Sequence, residues 1–431
     1  MTTGQRLLAA VALCAALAGL DISLRTATPL PAQAIWPHAA GMTLPHAAGM
    51  TSPLAAGMPP SLTASPQMPI AGSIRWARQS SGHLPMPIDA PSAHASSLLA
   101  MPSNHRCALM AFWFAGQRES APDVQIAQSC FERASQQWLP ARHVVNRFEF
   151  GDQLGHGLRR LGNPVSWLDA QGKIHLFVVA TGWGGWAAGR ILHVRQSDDG
   201  RSATGVTSAN PRSASLTFAS PTFASPKILP LSWLWNISFL VRGAPMPLAD
   251  GGMILPVYFE LGIKYPVALR FDAGGNFKGM TRISNRTHTL QPTLLALGRS
   301  HWLALMRDNR VDGYVAIAQT TDAGLSWQDL PQTQLINPDT SVAALALAPD
   351  RLLLAHNSSP RSRQVLDLSQ SRNGVDWLLA LNLARGDKNG DISAEFSYPS
   401  MTYVDGSVWV AYTENRTRIA WARYNFEPSP P

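Results

Sequence analysis

The sequence predicts an all-β protein, a six-bladed β-propeller, and three observations carry that prediction. Six short polar turns are each followed by alternating or fully apolar strand text: MPSNHRCALMAFWF, LDAQGKIHLFVVA, LADGGMILPVYFE, LGRSHWLALM, LAPDRLLLAHN and YVDGSVWVAYT. Patterning of this kind suits strands buried in antiparallel sheets. Successive hairpins lie about 50 to 80 residues apart, room for one four-stranded blade each. Helical periodicity of any length is missing from this region. With 431 residues, 45% hydrophobic and 14% charged, the chain can bury a large core and is not disordered as a whole.

The first ninety residues read differently. Arg6 precedes the apolar run Leu7–Leu20, which has the length of a signal-peptide core and is short and Ala-rich for a membrane span. Cleavage is expected after Ala18 or Ala34, with an uncleaved inner-membrane anchor as the alternative. Cys14 follows Leu13 where a lipoprotein signal needs a small residue, which argues against lipidation. PHAAGMTL, PHAAGMTS and PLAAGMPP then repeat with a period of eight from Pro37, Pro45 and Pro53. Such text cannot build a packed core and reads as a linker, with His38 and His46 as linker residues rather than metal ligands. The expected division is 1–34 signal or anchor, 35–90 linker and 91–431 propeller.

An exported chain, periplasmic or extracellular, meets an oxidising compartment, where Cys107 and Cys130 are placed to pair. CALMAFWF and DVQIAQSC flank the turn AGQRESAP, and antiparallel pairing about that turn brings the two cysteines opposite one another. The net charge of +8 suits an anionic partner. No basic run interleaves with aromatics, so an acidic glycan or the cell envelope is a better expectation than nucleic acid. A membrane partner is expected only with an uncleaved N-terminal segment, and a monomer is expected. No His/Cys cluster has metal spacing and no glycine-rich phosphate loop is present, so no cofactor is expected.

The ring must also close. GSIRWARQS around Arg75 alternates like a strand, and pairing it with the last blade, which ends in RIAWARYNF, is one closure among others. The repeated TFASP in LTFASPTFASPK reads as a surface-loop insertion. Thr320-Thr-Asp322-Ala-Gly324-Leu-Ser326-Trp327 is a turn with its own chemistry. Asp322 and the hydroxyls can cap backbone N–H groups, Gly324 permits positive φ, and Trp327 plugs the turn onto a neighbouring strand. Weaker relatives stand at Ser197-Asp-Asp199-Gly200, Phe271-Asp-Ala-Gly274 and Ser371-Arg-Asn-Gly374-Val-Asp-Trp377.

The Thr320–Trp327 pattern resembles the aspartate box of sialidases and other bacterial-neuraminidase-repeat proteins. The segments FAGQRESAPDVQIAQS, GNPVSWLDAQGKIHLF, ILPVYFELGIKYPVAL, QPTLLAL, LALMR, NPDTSVAALAL, RLLLAHNSSPRSR and FSYPSMTYVDGSVWVAYT resemble that superfamily in combination and order. The resemblance implies a propeller of sialidase type and a sugar site at its axial mouth. In sialidases three arginines clamp the sugar carboxylate through charge-assisted bonds, a tyrosine assisted by a glutamate base is the nucleophile, and an aspartate is the acid/base.

Carried over by position, Tyr398 falls on the nucleophile, and Arg307 and Arg361 on the second and third clamp arginines, with Arg363 competing for the third. Glu119 falls near the acid/base, with Asp123 four residues on as an alternative. His94 stands where the first clamp arginine is expected and Gln291 where the base is expected. Glu260 and Glu414 are substitute carboxylates. An amide cannot accept a proton, and losing a catalytic group commonly costs roughly 10²–10⁴-fold.

Each of these also has a structural reading: blade-linking arginines, solvated turn carboxylates, a strand tyrosine, a hydrogen-bonded histidine. Trp183 and Trp186 in GWGGWAAG can stack on sugars or pack on a blade. The implied function is an exported glycoside hydrolase acting on an acidic sugar. The alternatives are a uronate lyase, with His94 or Tyr398 abstracting a proton, and a non-catalytic glycan-binding propeller, which Gln291 favours.

Overall fold

The computed structural model describes residues 2–24, 33–35, 74–197, 221–386 and 393–428. Six antiparallel sheets of four or five strands stand around one axis. The first strands of neighbouring sheets pack on one another and so line that axis. They are Ser92–Ala100, Arg160–Leu168, Phe239–Val241 with Met246–Pro247, Thr289–Ala296, Ala343–Ala348 and Phe396–Val404, in blades one to six. Each blade buries its second strand almost completely, as in Cys107–Gly116 and Ile174–Thr181, which explains why those hairpins read as unbroken apolar text.

The ring closes by pairing the strand Ile74–His83 with Arg418–Pro428, in register from Ile74↔Pro428 to His83↔Ala420. The closure expected from the alternation around Arg75 is therefore present, and the propeller begins inside the segment assigned to the linker. Its residues are not linker text: Trp76 packs edge-to-face on Tyr424 and tilted on Phe426, with ring centroids 6.5 and 5.5 Å away. The second TFASP copy also departs from expectation. Phe223–Ile228 is the outer strand of blade two, held by buried Phe223 against Phe112. The first copy, the Pro37–Pro53 repeats with His38 and His46, and Asp199-Gly200 lie outside the described residues.

Two helices occur. Thr3–Leu24 covers the apolar N-terminal run, and among the described residues no helix is long and apolar enough to cross a membrane. Arg147–Leu154, between blades one and two, is a helix the patterning did not predict. Asn146 caps it by accepting from Phe148 N–H, and Gly155 ends it with φ of 71°. Gln33–Ile35 lies along blades three and four: Ala34 N–H donates to Arg299 O at 2.9 Å and Ala34 bridges Leu248.

Four inner strands share one irregularity. Between His94 and Ser97, Gly162 and Val165, Leu290 and Thr293, and Ser397 and Ser400, the inner strand advances three residues while its partner advances two. Each is a β-bulge, and the extra residue turns side chains towards the axis. Ala95, Asn163, Gln291 and Tyr398 sit there with φ of 53°, 31°, 50° and 53°. Three of these four precede proline (Pro164, Pro292 and Pro399), a residue a bulge can host because no ladder N–H is needed. Blades three and five carry equivalent residues just ahead of their inner strands, Ser238 at 70° and Asp339 at 53°. All six lie near the starts of the inner strands, which defines the rim bearing the mouth.

The far rim carries the Thr320–Trp327 turn, since Thr320 pairs with Trp302 at the strand ends opposite Arg307. Asp322 accepts from Ser326 N–H at 2.9 Å and from the Ser326 and Thr320 hydroxyls. Gly324 has φ of 85°, and a Cβ there would meet the Trp302 ring at 2.9 Å. Asp322→Ala should cost about 0.5–2 kcal/mol in urea unfolding, as for other capping side chains, and leave ligand affinity at the opposite rim unchanged.

Cys107 and Cys130 form a disulfide with Cα atoms 5.7 Å apart. Their register is diagonal: Met110 pairs with Cys130 and Cys107 with Glu132, two residues further along the same strand. Replacing both by alanine should lower stability by about 2–4 kcal/mol in the same assay without changing the strand content read by far-UV circular dichroism.

Candidate functional site

The bulges bring residues of separate blades to one mouth. Tyr398 from blade six lies with its ring 4.3 Å from that of His94 of blade one. Gln291 from blade four sits between two phenols, its Nε2 donating to Tyr258 OH at 3.3 Å and Tyr398 OH at 3.5 Å. The amide's orientation is set by Arg307, whose Nη1 donates to Gln291 Oε1 at 3.0 Å. A guanidinium can only donate, so the amide oxygen faces it and the NH₂ faces the tyrosines.

From Arg307 a chain of charges runs around the rim. Arg307 Nε bonds Asp339 Oδ1 at 2.6 Å, and Arg363 Nη2 bonds the backbone carbonyl of the same Asp339 at 3.1 Å. Arg363 Nη1 then reaches Glu395 Oε1 at 3.0 Å. Glu395 also accepts from Ser397 Oγ at 2.7 Å and from Arg416 Nε at 2.9 Å, and Arg416 pairs with Glu119 of blade one. Gln291, Arg307, Asp339, Arg363, Glu395, Arg416 and Glu119 thus form one connected network over blades four, five, six and one. Two arginines thus meet on Asp339, one at its carboxylate and one at its backbone carbonyl.

The expected residues divide accordingly. Tyr398, Gln291, Arg307 and Glu119 are in the network, and His94 borders it. Glu260 flanks it from blade three, half-buried; burial pushes its carboxyl above the ordinary range, partly offset by Arg307 and Lys264. Arg361 is not part of it. Its side chain is 77% exposed and pairs with Asp312 from the turn itself, while Arg363, at the entry to the strand Val365–Ser371, occupies the inward position. Asp123 is absent from it as well: its carboxylate accepts from Gln117 N–H at 2.7 Å and fastens the turn that presents Glu119. Glu414 pairs with His83 across the closing strands.

Besides Asp339 and Tyr258, three groups had no counterpart in the sequence reading. Arg242 of blade three is 5% exposed and projects across the axis, donating to Pro399 O at 2.6 Å and Ser96 O at 3.4 Å, with its Cζ 5.3 Å from the centre of the Tyr398 ring. Burial pushes its guanidinium down to about 10, still charged at neutral pH. Unlike Arg307, Arg363 and Arg416 it has no carboxylate partner among the described residues. The residue after it, Gly243, comes so close to Pro292 O that an added Cβ would lie 2.1 Å away, so only glycine lets Arg242 cross there. Glu395 and Arg416 are the others. The signal for Glu395 was its place two residues before the Ser397–Ser400 bulge; Arg242 left none, since its blade has the shortest inner strand.

His94 is 1% exposed and neither ring nitrogen has a protein partner among the described residues. Burial first, then Arg416, holds it well below its ordinary value, so the imidazole is neutral. It supplies an aromatic wall to Tyr398 and no positive charge where the resemblance would place a clamp arginine. At Glu395 burial acts upward, but Arg416, Ser397 and Arg363 outweigh it and hold the carboxyl at about 2.

A sialidase-like β-propeller is the class that this fold and the layout of the mouth define. Residues 107–410 match the BNR repeat-like domain family, and the chain belongs to it. Among solved structures, the chain is similar to a Hadza microbial sialidase, with 18% identity over 78% of this chain and 66% of that one, at a TM-score of 0.60. It is also similar to a protein of unknown function from Dyadobacter fermentans (12% identity, 82% of this chain, 100% of that one, TM-score 0.60). The Trypanosoma rangeli sialidase follows at 13% identity, with 82% of this chain, 60% of that one and a TM-score of 0.58. The chain thus spans about two thirds or less of either sialidase. No curated protein matches it.

Because the Glu395 carboxyl is depressed, its contribution to stability is present above the ordinary glutamate value near 4.5 and is lost as pH falls from there towards 2. Thermal melts across that window should show a shallower loss of stability for Glu395→Gln than for the parent, with the two profiles parallel above pH 5.

Proposed function

We propose that the protein acts on a glycan and that its axial mouth takes an acidic sugar, with hydrolysis of its glycosidic bond as the reaction. The observation that carries this reading is the single network joining Tyr398, Gln291, Arg307, Asp339 and Arg363 across three blades. Arg307 and Arg363 would hold the sugar carboxylate, exchanging part of their contact with Asp339 for the ligand. Tyr398 would approach the anomeric carbon as nucleophile, a role a neutral phenol suits better than a carboxylate when the substrate itself bears a negative charge there. Glu119, held at the rim by Arg416, would protonate the leaving oxygen. Arg242 adds a fixed positive charge beneath the Tyr398 ring. Hydrogen bonds of this preorganised kind act where charge develops in the transition state.

Gln291 sets the rate in this reading. Its NH₂ can donate to the Tyr398 oxygen but cannot take its proton, so nucleophile activation is weaker than with a glutamate. The same feature favours a second reading, a propeller that binds the acidic glycan without turning it over.

The two are separated by products from a panel of acidic glycans. Hydrolysis releases a reducing sugar that Tyr398→Phe abolishes. Gln291→Glu should raise turnover about 10²-fold or more by supplying the missing base. Binding that survives Tyr398→Phe, weakens at least tenfold in Arg363→Met, and never yields product indicates the binding reading. An unsaturated product absorbing near the ultraviolet edge, or no binding to any acidic glycan, overturns the proposal.

A further inference from the structure

The rim that bears the mouth also carries an apolar promontory on blades two and three. Trp183 is 84% exposed, Trp233 62% and Trp235 48%, and beside them Leu234, Leu261 and Ile263 are exposed as well. They belong to three loops, and Ser238 ties those loops together. Its hydroxyl donates to Ala187 O in the loop of Trp183, its carbonyl accepts from Glu260 N–H at 2.9 Å next to Leu261, and it closes the loop of Trp233–Trp235.

The tryptophan loop is held in shape. Ser232 Oγ accepts from Leu234 N–H and Trp235 N–H at 3.2 and 2.7 Å. Asn236 accepts from Leu231 N–H and donates to Leu229 O. The loop therefore presents its large apolar side chains to solvent from a fixed frame, at the cost of leaving them hydrated, which marks an interaction surface.

We infer that this promontory is a membrane-docking surface, and that its partner is a lipid bilayer with anionic headgroups. Two observations choose that occupant. First, aliphatic tips are included: Leu261-Gly262-Ile263 is the turn of a hairpin, with Gly262 at φ of 71°, and it thrusts two branched side chains outward. A sugar platform needs flat aromatic faces and gains nothing from such tips, whereas Trp with Leu and Ile at loop ends is the composition that enters the headgroup–acyl boundary.

Second, the flanking charge is complementary. Arg159 lies 3.5 Å over the Trp183 ring, and Arg160 and Lys264 stand on the same rim. None of the three has an ion-pair partner among the described residues. Such cations can extend past the apolar side chains to reach phosphate groups, Arg159 from over the Trp183 ring and Lys264 from beside Glu260. Glu260, directly before Leu261, belongs to the mouth, so docking in this way turns the mouth towards the membrane surface. The inference does not depend on what the mouth does.

The test uses the full chain, so that the apolar N-terminal segment is the same in every sample. Partition onto vesicles of mixed phosphatidylcholine and phosphatidylglycerol is compared for the parent, for Trp233→Ser/Trp235→Ser/Leu261→Ser, and for Arg159→Gln/Lys264→Gln. The apolar triple variant should bind at least tenfold more weakly with an unchanged thermal melt. The charge variant should lose several-fold, and only on vesicles containing phosphatidylglycerol. Equal partition of parent and triple variant overturns the proposal. So does a triple variant that keeps its vesicle binding while losing affinity for a soluble glycan, or while losing a dimer seen by sedimentation in the parent.

Discussion

Everything at the mouth depends on one extra residue in the inner strand of a blade. A regular strand would alternate its side chains between the two faces of its own sheet and point none of them along the axis. The bulge breaks that alternation at the same height in four blades, and in the other two a positive-φ residue stands just before the inner strand. Non-glycine residues in that region carry backbone strain, and strain persists where the surroundings over-determine it. Here the surroundings are the six packed sheets. Tyr398 and Gln291 meet because each occupies this strained position in its own blade.

The electrostatics of the mouth follow from that convergence. Crowding arginines from three blades into one rim is tolerable because carboxylates alternate with them, Asp339 after Arg307 and Glu395 between Arg363 and Arg416. A buried charge left without a partner is costly, and Arg242 is the exception to the alternation. It is compensated by backbone carbonyls of blades one and six and by the Tyr398 ring, so one cation beside Tyr398 has no carboxylate partner among the described residues.

Much of this was legible in the sequence, and the reasons for the remainder are physical. Blade number came through because buried second strands such as Cys107–Gly116 leave unbroken apolar text, and the disulfide because its cysteines flank one turn. Closure by Ile74–His83 was visible only as weak alternation, since an outer strand buries one face and has little apolar text to show. Tyr398, Gln291 and Arg307 could be placed because FSYPSM, QPTLLAL and LALMR resemble sialidase segments whose positions carry over one by one. Arg361 was preferred over Arg363 because side-chain direction in a short turn is a matter of φ and ψ that spacing does not reveal. Arg242 was invisible for a different reason: it serves blades one and six from blade three, and a contact between blades leaves no local pattern.

The seam in blade six has a consequence for how the molecule is made. Ile74–His83 is among the first propeller segments to leave the ribosome, and its partner Arg418–Pro428 is among the last, so that pairing is the most non-local contact in the ring. Such contacts form late, and until they do an unfinished sheet presents an open edge to other chains. Assembly of this propeller therefore has a long vulnerable interval that ends in a single step, when the two ends of the ring find each other, and the same seam is where a pulled or heated molecule would begin to unzip.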